Sequence, residues 1–227
     1  MTAALSICLF ALVCLGLIDQ AATASTICPN NNATNMNDNA RNRVVNVHNN
    51  KRTEAARGQV KNGMNNYNCP QAADMIKMKY DCNLETKAQD IADDCSLEAT
   101  PPNKRNQGEL VFVINKKLGE LGGAVTAINR ATNNWWSEID KNGINRKMQY
   151  VQYFDTKPES PKSFTQMAWA KTTKIGCGIG KCGTKTFVVC RYKPKGNIVG
   201  ENVWKIGRPC SSCSSGGCAS GGYLCIN

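Results

Sequence analysis

Residues 173–192, TKIGCGIGKCGTKTFVVCRY, decide the fold class. Two β-prone runs, 173–178 (TKIGCG) and 186–192 (TFVVCRY), flank a predicted turn at Gly178–Thr184, the pattern of a β-hairpin and so of antiparallel pairing. Upstream, 164–169 (FTQMAW) reads as a further strand and 110–115 (LVFVIN) as a short buried one. Between them the chain is helical. The spacing predicts a helix over 36–57, with Ala40, Val44, Val47 and Ala55 near a 3.6 period and Gly58 to stop it. A Gly/Asn-rich loop at 58–69 follows. A second helix fits 83–96, with Leu84, Ala88, Ile91, Ala92 and Cys95 on one side before Pro101-Pro102. A third fits 120–140, with Val125, Ile128, Thr132 and Trp135 or Trp136 along a face, closed by Asn142-Gly143. Residues 144–162 are irregular, and 207–227 form a Cys/Ser/Gly-rich tail. Helices intermixed with antiparallel strands predict α+β layering, not a doubly wound parallel sheet.

The 227 residues are long enough to bury a substantial core, and 41% hydrophobic content argues against wholesale disorder. Residues 3–18, AALSICLFALVCLGLI, are apolar and precede Ala22-Thr23-Ala24, a small-x-small cleavage pattern. Residues 1–24 therefore read as a secretory signal peptide, because the apolar run is shorter than the roughly 20 residues of a membrane span. Cleavage leaves Ser25 first and a secreted, extracellular chain of 203 residues, with 28 basic and 16 acidic side chains and a formal charge of +12.

An oxidising compartment turns the cysteines into a disulfide framework. They are Cys28, Cys69, Cys82, Cys95, Cys177, Cys182, Cys190, Cys210, Cys213, Cys218 and Cys225. The odd count leaves one thiol that is unpaired or bridges two chains, so monomer and disulfide-linked dimer are both open. Cys210-x-x-Cys213 also has zinc or redox spacing, but no helical pattern follows it as a thioredoxin-like site requires. Asn32-Ala33-Thr34 is a glycosylation sequon at Asn32, inside an Asn-rich segment 25–35.

Three groups of residues resemble one family. Residues 163–169, SFTQMAW, look like its GHYTQMVW signature with the histidine replaced. Residues 190–200, CRYKPKGNIVG, match C-x-Y-x-P-x-G-N-x-x-G at every fixed position. His48-Asn49-x-x-Arg52, Tyr80-Asp81-Cys82, Cys95, Gly108-Glu109 and Trp135-x-x-Glu138 fit in spacing. The chain resembles the CAP superfamily (cysteine-rich secretory proteins, antigen 5, pathogenesis-related 1), above all the nematode secreted venom-allergen-like proteins. The resemblance implies a three-layer α-β-α sandwich over 36–206 with a cleft, followed by the tail 207–227. It also implies sterol or fatty-acid binding, action toward a host or cell surface including immune modulation, and no enzymatic activity; the rival class, a metal-dependent hydrolase, is disfavoured by the missing cleft histidines.

In such proteins the cleft holds two His and two Glu able to coordinate a divalent metal. The matching positions here are Ala99, Glu109, Glu138 and Ser163, so both imidazoles are absent. Zinc prefers imidazole nitrogen and thiolate sulfur, which predicts no metal cofactor; two carboxylates offer Mg2+ or Ca2+ only a weak oxygen site. If they lie close together without a metal, one is expected to have a raised pKa. The only histidine, His48, is outside the cleft positions and reads as structural. A glycosidase-like acid/base use of Glu109 and Glu138 needs an aromatic sugar cleft that the sequence does not display.

The stretch 148–154, MQYVQYF, followed by Ser163-Phe164, makes Tyr150, Tyr153, Phe154 and Phe164 candidate lipid-binding side chains. Core packing of the same aromatics is the competing explanation. From Lys171 to Arg208 nine Lys/Arg face one acid, Glu201, a surface suited to a host receptor, a sulfated glycan or an anionic membrane. Nucleic acid is not expected, since no interleaved aromatic binding motif is present.

Overall fold

The computed structural model describes residues 25–31, 35–214 and 216–226. The predicted signal peptide and Asn32 lie outside the described residues. Among those described, no helix is long and apolar enough to cross a membrane.

Helix α1 spans Asp38–Ala56 and starts where Asn37 accepts the Ala40 N–H at 2.9 Å. Helix α2, Cys82–Asp93, is capped in the same way by Asp81, which accepts the Leu84 N–H. Such caps satisfy backbone donors that the first turn leaves open. Helix α3, Ala124–Asn142, begins after Gly122-Gly123, two glycines with positive φ that separate it from a 3-10 turn at Gly119–Leu121. The third helix thus starts four residues later than the periodicity predicts. A single turn, α4, covers Tyr153–Thr156, and α5 covers Lys162–Met167.

The sheet has the order β1-β3-β4-β2, with β1 Lys79–Tyr80, β2 Gly108–Ile114, β3 Lys174–Cys182 and β4 Lys185–Lys193. β2, β3 and β4 are antiparallel, and the two-residue β1 adds in parallel to β3. Helix α2 covers one face of the sheet, while α1 and α3, with α5 against α3, cover the other. The expected α-β-α sandwich is present.

Two expectations are corrected. Residues 164–169 are not a strand: 162–167 are helical, because the carboxylate of Glu138 from α3 accepts the backbone N–H groups of Ser163 and Phe164 at the helix start. The hairpin turn is not Gly178–Thr184 but only Gly183-Thr184, with Cys182 paired to Lys185. Gly176, Gly178 and Gly180 are strand residues, and a Cβ on any of them would strike the backbone of α2 at Glu85, Gln89 or Ala92. Here glycine marks close approach of a helix, not a reversal.

The motif His48-Asn49-x-x-Arg52 ties α1 to the rest of the core. Asn49 exchanges two hydrogen bonds with the backbone of Met78. The fully buried Arg52 guanidinium donates to the carbonyls of Ile76, Met167, Trp169, Ala170 and Thr172, which fixes the chain leaving α5. Desolvation lowers its pKa to about 9.

Among the described residues five disulfides join Cys28–Cys82, Cys95–Cys182, Cys177–Cys190, Cys210–Cys218 and Cys213–Cys225. Cys210 and Cys213 thus belong to separate bridges, which removes their thiolates from metal or redox chemistry. The one free thiol among the described residues is Cys69, buried in the core at 2% exposure. The tail packs onto the domain through Cys225, which exchanges backbone hydrogen bonds with Met75 and Lys77.

Candidate functional site

A cleft of about 550 Å3 opens beside β2, one of the two edge strands of the sheet. Its floor is the run Gln107–Val111. One wall is the segment after α2 that carries Ala99 and Arg105, and the other holds Tyr150, Ser163, Gln166 and Asn197. Gly108 is required in the floor, since a Cβ there would collide with the Gln166 side chain. Gln166 accepts the Gly196 N–H at 3.0 Å, and Thr165 donates to Asn197 at 2.8 Å, so the 190–200 segment is held against α5.

The structure brings Ala99, Glu109 and Ser163 to this cleft. The fourth predicted position, Glu138, sits behind Ser163 and lines a neighbouring cavity of about 320 Å3. Both carboxylates are committed to protein partners. Glu109, whose side chain is wholly buried, lies opposite Arg191 in the β2–β4 register and accepts from its guanidinium at 2.8 and 2.9 Å. It also accepts the N–H of Thr100 at 2.7 Å and its hydroxyl at 3.2 Å. Glu138 accepts the hydroxyl and the N–H of Ser163, each at 2.6 Å, and the N–H of Phe164 at 3.3 Å. Burial pushes the Glu138 carboxyl above the usual carboxylate range, and the bonds from Ser163 pull it partway back. The raised pKa therefore comes from desolvation.

This donor set does not fit zinc. It offers no imidazole and no thiolate, and its two carboxylates are filled by a guanidinium, a helix start and two hydroxyls. Arg191 supplies at Glu109 the positive charge that a cation would otherwise bring. The Ser163 hydroxyl donates to Glu138, and the N–H groups of Ser163 and Phe164 point at the same carboxylate. His48 is fully buried away from the cleft. Its Nδ1 donates to the Val44 carbonyl at 2.7 Å, so Nε2 accepts from the Tyr192 hydroxyl at 3.0 Å. Burial lowers its pKa to about 4.

The four aromatic candidates divide. Tyr150 lines the cleft, and its hydroxyl donates to Asp155 at 2.6 Å. Phe164 has no exposure and packs edge-on against Trp136, and Phe154 packs against Tyr150. Tyr153 is 63% exposed. Sequence reasoning counted Arg191 and Lys195 only in a basic surface run and did not single out Arg105 or Lys162. For Arg191 the alternation of β4 was a usable signal; Lys195 lies beyond that strand.

Residues 45–192 match the profile of the cysteine-rich secretory protein family, CAP. The chain is 33% identical over 195 residues to the Ancylostoma secreted protein of Ancylostoma caninum, covering 85% of this chain but 45% of that protein. The match thus spans less than half of that relative's length. It is 31% identical over 185 residues to Hookworm platelet inhibitor 1 of the same species, covering 80% of this chain and 77% of that one. The solved structure of NaASP2 with Zn2+ aligns with a TM-score of 0.77 at 32% identity, over 87% of this chain and 99% of that one. The zinc is that protein's; its donor requirements are not met by Ala99 and Ser163. By sequence and by fold, the chain belongs to the cysteine-rich secretory protein (CAP) family.

Proposed function

We propose that this is an exported, non-catalytic protein that captures a lipid, a sterol or fatty acid, in its cleft. The observation that carries the reading is the lining. Ala99, Pro102, Leu110 and Val111 supply apolar surface, while Arg105, Lys162 and Lys195 supply cations. A volume of about 550 Å3 lies within the roughly 300–1,000 Å3 of small-molecule sites. Apolar burial at about 25 cal/mol per Å2 drives capture of a chain, and the cations favour a carboxylate head, hence a fatty acid over a sterol. Glu109 is neutralised by Arg191 and both histidine positions of the cleft lack an imidazole, which supports sequestration over bond cleavage. Likeness to Hookworm platelet inhibitor 1 supports action toward host cells, including modulation of their responses.

Native mass spectrometry after incubation with oleate or cholesterol tests this. One added oleate per chain is expected, with loss in the Lys162→Glu/Lys195→Glu variant. A chain that takes up neither lipid would sink the reading.

A second reading, a receptor or sulfated glycan bound through the basic face, draws on one observation. The register sets Lys79, Lys174 and Lys193 in a single row across three strands. Elution from a heparin column above physiological salt, together with no lipid uptake, would select it.

A further inference from the structure

The cleft rim carries apolar groups where polar ones are the rule. Glu201 donates its N–H to the Ile198 carbonyl at 3.0 Å, and Gly200 has φ +87°. These are the marks of a type II turn with Val199 and Gly200 at its centre. Its side chains are Ile198, 37% exposed, and Val199, 45% exposed. Together with Tyr153 they are three of the seven exposed large apolar side chains among the described residues. All three flank the same opening. Gly200 donates to the Tyr150 carbonyl and Tyr150 to the Glu201 carbonyl, each at 2.9 Å, so the turn is fastened to the segment that leads into Tyr153. Asn197, just before the turn, and Asp155, just after Tyr153, both line the cleft.

The charge beside this patch is positive. Lys162 and Lys195 are exposed and line the cleft. Of the rim acids, Glu201 is paired with Lys171 at 2.9 Å, while Asp155 has only the neutral Tyr150 hydroxyl, so the two lysines outnumber the one unpaired acid. Apolar turn residues, an exposed tyrosine and flanking lysines are the elements that seat a peripheral protein at the headgroup boundary of an anionic leaflet.

We propose that this rim is a membrane-docking surface. The Ile198-Val199 turn and Tyr153 enter the interfacial layer of an anionic bilayer, Lys162 and Lys195 meet its headgroups, and the cleft mouth faces the lipid. Docking itself does not depend on what the cleft holds; only the transfer of lipid into the cleft rests on the function proposed above.

Flotation with vesicles of phosphatidylcholine, with and without phosphatidylserine, is the test. The protein is expected to float with the phosphatidylserine vesicles and to be released by high salt in part. Ile198→Asp/Val199→Asp should weaken this by about tenfold or more, because each charge must leave the interfacial layer. Val199→Ser alone should weaken it less, and both variants should keep the wild-type circular dichroism spectrum. Oleate uptake from dilute solution should persist in both, since neither residue lines the cleft. No flotation of the wild type, or undiminished flotation of the double variant, overturns the docking surface. Flotation without uptake of either oleate or cholesterol by any form leaves docking standing and overturns the lipid-capture reading instead.

Discussion

Glu109 and Arg191 face each other across the β2–β4 ladder, carboxylate to guanidinium at 2.8 Å, with the carboxylate side chain wholly out of water. Removing one member of such a pair strands the other charge. Arg191→Met is therefore expected to destabilise the fold by about 3–5 kcal/mol, read from urea midpoints. Arg191→Met/Glu109→Leu should recover much of that loss, because the uncompensated charge is gone. A single variant as stable as the wild type would mean that water reaches Glu109.

The same geometry governs metal binding. Calorimetric titration with ZnCl2 is expected to give no sub-micromolar site in the wild type. Ala99→His/Ser163→His places imidazoles at the two positions that lack them and releases Oε1 of Glu138 from the serine hydroxyl, so it should gain zinc affinity. Tight zinc binding by the wild type that disappears in Glu138→Ala would contradict this account.

His48 makes stability depend on acidity. Its pKa falls from 6.5 to about 4 on folding, because burial penalises the imidazolium. Between those values the unfolded chain binds more protons, so stability is full above 6.5 and declines as pH drops toward 4, by about 3 kcal/mol in all. Glu138, raised by burial, works in the opposite sense above its ordinary value of 4.5. The pH profile of His48→Gln, compared with wild type by urea unfolding, isolates the imidazole: its slope from pH 6.5 to 4 should flatten.

Cys69 is expected to be silent in the native state. Burial pushes its thiol up to about 12 and keeps it at 2% exposure, so little thiolate forms near neutral pH. Iodoacetamide should label it slowly in buffer and rapidly in urea, and non-reducing electrophoresis should show a monomer. Fast native labelling or a covalent dimer at Cys69 would show that the surrounding core opens.

By itself the sequence determined the first two helices, the antiparallel hairpin, the family and the loss of both cleft imidazoles, whereas the caps Asn37 and Asp81 and the carbonyl cluster around Arg52 came from the structure. Each of the former is written in a few consecutive residues whose pattern names its own geometry. Tertiary structure alone decided that 162–167 is helical, that the Gly176–Gly180 stripe is strand under α2, that Cys69 is the odd thiol, and what the cleft carboxylates hold. Those outcomes join groups far apart in the chain, 25 residues for Glu138 with Ser163 and 82 for Glu109 with Arg191. A buried carboxylate takes whichever donor the fold brings within about 3 Å, and no local pattern specifies that neighbour.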